Sequence, residues 1–208
     1  MNDKQFRDFQ TIMNQAIKQA YDQNIIEDKE NPDMIKIFWR LKRLDLSCLG
    51  LIKLDGLECF NKLEELSLHS NGIENTEFFN QWSPLRSSLK RLDISYNPLI
   101  YHFSGLENLK KLEYLDLTQT TGIIAESDLG FLKDMPNIKH IEIRDQVIFA
   151  GPFAPKQFVA NYLPGREIEM TYVKRIHYFH LEEFEEILVR ETFNTKKERK
   201  NNMPIRLD

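Results

Sequence analysis

The sequence predicts an α/β fold, a solenoid whose curved parallel sheet is built from about five to six repeats, with helical caps at both ends. Three observations predict it. An apolar triplet recurs as Leu41-x-x-Leu44-x-Leu46, Leu63-x-x-Leu66-x-Leu68, Leu89-x-x-Leu92-x-Ile94, Leu112-x-x-Leu115-x-Leu117 and Ile138-x-x-Ile141-x-Ile143. The triplets start 22, 26, 23 and 26 residues apart, a spacing that repeat solenoids use. The second and third apolar positions of each triplet alternate with polar residues, as in a strand with one buried face. One such strand cannot bury its face alone, whereas stacked copies share a continuous core.

The elements follow in chain order. Residues 1–40 read as an N-terminal helical cap, because Phe6, Phe9, Met13, Ile17, Ala20 and Tyr21 recur at three- and four-residue steps. Asn2 or Asp3 can cap that helix, and Asn31-Pro32 interrupts the chain before the sheet. Residues 41–172 carry the repeats. Burying each Leu or Ile of a triplet contributes roughly 1.5–3 kcal/mol. Ile168 and Met170 lie 27 residues after Ile141 and Ile143, so a degenerate sixth strand is expected there with Glu169 in the row of Glu142. Gly151-Pro152-Phe153-Ala154-Pro155 reads as a stiff loop and residues 156–163 as a short helix. Within 173–194 a second amphipathic helix is expected from His177 to Phe193, with Leu181, Phe184, Ile187 and Leu188 on its apolar face. The basic tail 195–208, with Lys196, Lys197, Arg199 and Lys200, is too polar to order by itself.

The segments LEELSLHSNGI (63–73) and LKRLDISYNPL (89–99) resemble the consensus L-x-x-L-x-L-x-x-N-x-L of leucine-rich repeats. The preceding elements Gly56-Leu57-Glu58 and Gly105-Leu106-Glu107 look like those of the short intracellular subclass found in phosphatase-regulator and dynein-light-chain proteins. The resemblance covers residues 41–148. It implies the fold and leaves function open. The consensus Asn falls on Asn71 and Asn97, whose amides are expected to satisfy backbone groups at the turn after the strand. Leu49, Thr120 and Gln146 occupy that ninth place of the frame in the other repeats.

Composition narrows the functional classes. The chain carries 28 basic and 32 acidic side chains, so there is no general attraction to nucleic acid or to an anionic membrane. No apolar run approaches the ~20 residues that span a bilayer, and the polar start does not read as a signal peptide. Cys48 and Cys59 are expected to be reduced thiols in an intracellular, cytoplasmic setting; mitochondrial and nuclear sites stay open. No Gly-rich phosphate loop and no nucleophile elbow occurs. His177-x-x-His180-x-x-Glu183 has metal-compatible spacing, yet such a triplet is more often surface or packing. No enzyme activity, cofactor or metal is therefore expected.

The outward side chains of the strands define the candidate site. The fifth place reads Asp45, Ser67, Asp93, Asp116 and Glu142, and the third reads Arg43, Glu65, Arg91, Tyr114 and His140. The second place alternates Lys42, Glu64, Lys90, Glu113 and Lys139, as in cross-strand ion pairing. Two readings compete for this face. In one it neutralises itself, with Arg43 beside Asp45 and Arg91 beside Asp93. In the other, an acidic stripe centred on Asp93, Asp116 and Glu142 receives a basic protein partner. Tyr96, Tyr114, Arg91, His69 and Arg144 would complete that surface, since Tyr and Arg supply interface hot spots. The functional expectation is a non-catalytic protein-binding module, an accessory or scaffold subunit of a larger assembly. The alternatives are a regulatory subunit steering an enzyme such as a phosphatase or motor, and a ribonucleoprotein component. The expected partners are protein subunits, with no membrane insertion and no nucleic acid.

Overall fold

The computed structural model describes residues 3–80, 84–120, 126–144, 159–161, 163–177 and 184–194. Its centre is one seven-stranded, mostly parallel open sheet in chain order: β1 (Arg43–Asp45), β2 (Glu65–Ser67), β3 (Arg91–Asp93), β4 (Tyr114–Asp116), β5 (His140–Ile143), β6 (Glu167–His177) and β7 (Phe184–Asn194). Strands β1 to β6 pair in parallel, and β7 runs antiparallel to β6. Register follows the apolar frame: Leu44, Leu66, Leu92, Leu115, Ile141 and Met170 are successive partners. All six are buried, as are the sixth-place residues Leu46, Leu68, Ile94, Leu117 and Ile143 behind them. A one-residue slip anywhere would turn these side chains out to water, which excludes every odd shift of register.

Short 3-10 turns return the chain between strands, at Leu57–Cys59, Glu77–Asn80, Leu106–Asn108 and Glu126–Asp134. They close the core with Leu57, Phe79, Leu106, Leu129 and Leu132. The Gly-Leu-Glu elements start two of them. Gly56 and Gly105 hold φ at 103° and 102°, a region that L side chains avoid. The following Glu accepts the Gly N–H at 2.7 Å in both, from Glu58 and from Glu107.

Helix α1 (Asp3–Asp22) lies against the first strand, followed by the short α2 (Met34–Arg40), whose first turn is capped by Asp33. The buried face of α1 is Asp8, Ile12, Met13, Ala16 and Ala20. Met13 and Ala20 lie on it as expected, and Phe9 and Ile17 pack half-buried against the core, while two of the expected residues do not. Phe6 and Tyr21 are 50% and 42% exposed. Gln19 then acts as a strand surrogate: its Nε2 donates to Asp45 O at 2.6 Å and its Oε1 accepts from Asp45 N–H at 2.8 Å. Gln23 Nε2 donates to Arg43 O at 3.0 Å.

Buried Asp8 accepts the N–H groups of Ile52 and Lys53 and pairs with Lys4 at 2.9 Å. Burial alone would raise its pKa, but the Lys53 and Ile52 donors and the Lys4 ammonium outweigh it and hold the carboxyl below the usual range. A depressed folded pKa gives stability that is present above the unfolded pKa, about 3.9, and is lost as pH falls through the folded one. Urea unfolding across about pH 5 to pH 2 should show a smaller acid loss for Asp8→Asn than for the native chain; equal slopes would show that the three contacts do not bind the ionised form.

The C-terminal reading needs two corrections. The described residues of the helix expected over 177–193 are strand instead: His177 ends β6 and residues 184–194 are β7, laddered on β6 from Glu167↔Asn194 to His177↔Phe184. Ladder pairing with β6 overrides the helical spacing of the apolar residues. The sixth strand also sits two residues later than expected. Met170 partners Ile141, Thr171 partners Glu142, and Glu169 partners His140. A two-residue shift leaves every side chain on the same face, so alternation alone could not distinguish the registers. Of the residues expected as a short helix, 159–161 are helical, with Val159 and Leu163 buried. The 151–155 loop, Gln146, His180, Glu183 and the tail 195–208 lie outside the described residues.

Candidate functional site: the open face of the sheet

The ninth-place asparagines close the end of the strand from inside. Asn71 Nδ2 donates to the carbonyls of Leu46 (2.9 Å), Leu68 (2.9 Å) and His69 (3.3 Å), and its Oδ1 accepts from Leu49 and Leu51 N–H. Asn97 Nδ2 donates to Leu68, Ile94 and Ser95 carbonyls, and its Oδ1 accepts from Ile73 N–H. Thr120 takes the same place in the next repeat and donates to Leu117 O at 2.8 Å. The residue before each of them is left-handed: Ser70, Tyr96 and Gln119 have φ of 54°, 55° and 56°, as does Cys48 at 60° one repeat earlier. Tyr96 is the bulky member of this row, is 46% exposed and meets His69 edge-on with centroids 5.0 Å apart. The frame held no signal for that backbone conformation.

The three outward rows behave differently. In the second place, Glu64 bridges Lys42 at 3.0 Å and Lys90 at 2.7 Å, and Lys139 meets Glu113 at 2.7 Å. That row is paired, although exposed pairs of this kind contribute only about 0–1 kcal/mol each.

In the third place, Arg91, Tyr114 and His140 form a run of stacked flat groups across β3, β4 and β5. The Arg91 guanidinium lies 3.9 Å from the Tyr114 ring centroid, and the Tyr114 and His140 rings stack at 4.9 Å. His140 faces carboxylates with both nitrogens, Glu169 at 3.1 Å and Glu142 at 3.2 Å. Glu142 also accepts the Tyr114 hydroxyl at 2.9 Å and pairs with Arg144, while Glu169 pairs with Arg190. Burial raises the Glu142 pKa, but Tyr114, Arg144 and His140 together bring it below the usual value. Burial first, then the hydrogen bond to Glu142 and the surrounding carboxylates, pushes the Tyr114 hydroxyl far above its ordinary range.

In the fifth place, each aspartate is tied to its own strand end. Asp45 accepts from Ser47 N–H, Asp93 from Ser95 N–H and Asp116 from Thr118 N–H, at 2.8–2.9 Å. Asp93 also accepts the Ser95 hydroxyl at 2.5 Å, and His69 Nδ1 lies 2.8 Å from that same Ser95 oxygen. Among the described residues no cation lies within ion-pair distance of Asp45, Asp93 or Asp116. Arg43 and Arg91 do not bridge to the aspartates two residues on. Burial raises the Asp116 pKa, and the Asp93 and Glu142 charges add to the rise against the Thr118 hydrogen bonds.

A depression of about 350 Å3 opens on this face across β1 to β4, lined by Gln19, Arg43, Glu65, Arg91, Asp93 and Tyr114. Thus Asp93, Asp116, Glu142, Arg91, Tyr114 and Arg144 are brought onto one surface, with His69 and Tyr96 at its strand-end border. Cys48 is exposed and Cys59 half-buried, and both are free thiols. Among the described residues, no group of three His, Cys, Asp or Glu is disposed around a metal-sized site, and no helix is long and apolar enough to cross a membrane. The chain matches no known family model and no curated protein.

Proposed function

We propose that the chain is a leucine-rich-repeat solenoid that works as a non-catalytic protein-binding module, an accessory or scaffold subunit of an intracellular assembly, docking through the open face of β2 to β5. The repeated frame, its in-register pairing and the ninth-place amides support the solenoid reading. One observation carries the docking reading. Asp93 and Asp116 are register partners on adjacent strands, about 4.8 Å apart, and have no cation among the described residues, while the Lys–Glu row beside them is paired.

Two adjacent carboxylates repel one another, and a partner's Arg or Lys would offset that repulsion while fixing the register of docking. Exposed Tyr96, set in a left-handed turn and edge-on to His69, offers an aromatic anchor beside the stripe. Arg91, Tyr114, Glu142 and Arg144 frame the stripe and shape what fits it.

The test is crosslinking mass spectrometry on the tagged full-length protein purified from its native cells, beside an Asp93→Lys, Asp116→Lys double variant. The native protein should crosslink to stable partners around β3 and β4, and the folded double variant should lose at least about 1.4 kcal/mol of that binding, tenfold or more. Partners that persist unchanged on the folded variant would remove the open face as the docking site.

A further inference from the structure

The two ladder asparagines occupy equivalent turns in chemically unlike contexts. Asn71 is followed by Gly72, the only Asn-Gly pair in the sequence, and Asn97 is followed by Pro98. A backbone nitrogen one residue beyond an asparagine can attack the side-chain Cγ. Glycine hinders that ring closure least, and proline has no N–H with which to perform it.

In the fold neither reacting group is available. The Gly72 N–H donates to Leu51 O at 2.8 Å. The leaving nitrogen, Asn71 Nδ2, is engaged by three carbonyls, and Oδ1 by two N–H groups. The residue is 8% exposed. Bringing Gly72 N onto Cγ requires the amide to rotate out of all five bonds, which separates the β1 and β2 turns.

We propose that Asn71 is a spontaneous deamidation site that the fold holds closed, so that opening of the first two repeats becomes irreversible loss of the module. Gly72 N loses its proton and bonds to Asn71 Cγ. The Cγ–Nδ2 bond breaks and the nitrogen leaves as ammonia. Water then opens the succinimide at either carbonyl, leaving Asp or isoaspartate at position 71. Neither product restores the turn. A carboxylate has no N–H for the Leu46, Leu68 and His69 carbonyls, and would set a buried charged oxygen against them. Isoaspartate also lengthens the backbone by one carbon. Chemical change in the open state then drains the folded population.

The test ages the full-length chain at neutral pH, folded and in urea, and follows positions 71 and 97 by peptide mapping with isoaspartate detection. Conversion at Asn71 should be at least about tenfold slower in the folded protein, the suppression that an opening free energy of about 1.4 kcal/mol produces. Asn97 should stay intact in both samples. Gly72→Ala is the control, since its Cβ would stand 3.3 Å from the movable Ile52 side chain and 3.5 Å from Leu51 O. It should fold, age slowly in urea and refold on dilution, whereas aged native chain should not refold. Equal Asn71 rates in folded and unfolded protein, or full refolding of the converted chain, would overturn the proposal.

Discussion

Replacing Asn97 with alanine is expected to destabilise the protein by about 3–5 kcal/mol, well beyond the ~1 kcal/mol of an average substitution. The side chain serves four buried backbone groups: the carbonyls of Leu68, Ile94 and Ser95 and the N–H of Ile73. Each one left unpaired costs roughly 1–3 kcal/mol, and the total falls short of the sum because the turn relaxes. The next repeat supplies a graded control. Thr120 stands in the same place and keeps the bond to its own strand's sixth-place carbonyl, Leu117 O. Asn97→Thr should therefore recover part of the loss by restoring the bond to Ile94 O. Urea unfolding of the three proteins checks this. An alanine variant within about 0.5 kcal/mol of the native chain would show that water satisfies the turn, and the ladder would lose its structural role.

Gly105→Ala is expected to cost about 2–5 kcal/mol, and more than Gly56→Ala, although the two glycines share nearly the same φ. The backbone strain is common to both and the surroundings are not. A Cβ at Gly105 would stand 2.7 Å from the Thr76 carbonyl oxygen and 3.0 Å from Asn80 N, which are backbone atoms of the preceding repeat. Thr76 is itself anchored by its hydroxyl to the carbonyls of His102 and Ser104, so the crossing cannot widen easily. A Cβ at Gly56 would meet Met13 Cε and a Phe9 ring edge, the movable ends of side chains on α1. Parallel thermal or urea unfolding separates the two contributions. Equal losses would mean that φ strain alone decides, and that the repeats have no close backbone contact at Gly105.

The strand frame was legible because a parallel ladder of identical units leaves one choice of register. Once Leu44, Leu66, Leu92, Leu115 and Ile141 must share the core, every other place is fixed, including the paired Lys–Glu row. Legibility ended where the pattern became ambiguous. Leu181, Phe184, Ile187 and Leu188 fit a helical stripe, yet residues 184–194 pair with β6, a long-range choice that local spacing does not encode. The site was legible as composition and not as pairing. Arg43 and Asp45 stand two residues apart on one strand, which suggested mutual neutralisation. The aspartates instead accept hydrogen bonds from the Ser or Thr two residues on, and Arg91 stacks on Tyr114. That Asp-x-Ser/Thr spacing was present three times in the sequence as a readable signal. The left-handed turn at Tyr96 gave none.

Gln19 on α1 and Gln23 just beyond its end have an effect beyond holding a helix in place. A bare first strand would present its amides as a template on which another extended chain could crystallise. With Gln19 taking both polar groups of Asp45, and Gln23 the carbonyl of Arg43, that template is already read out by side chains of the same molecule. An incoming strand would have to evict them and a packed helix to gain its first rung. The array is thereby given a beginning: it cannot be extended, swapped or seeded from the β1 side without dismantling α1.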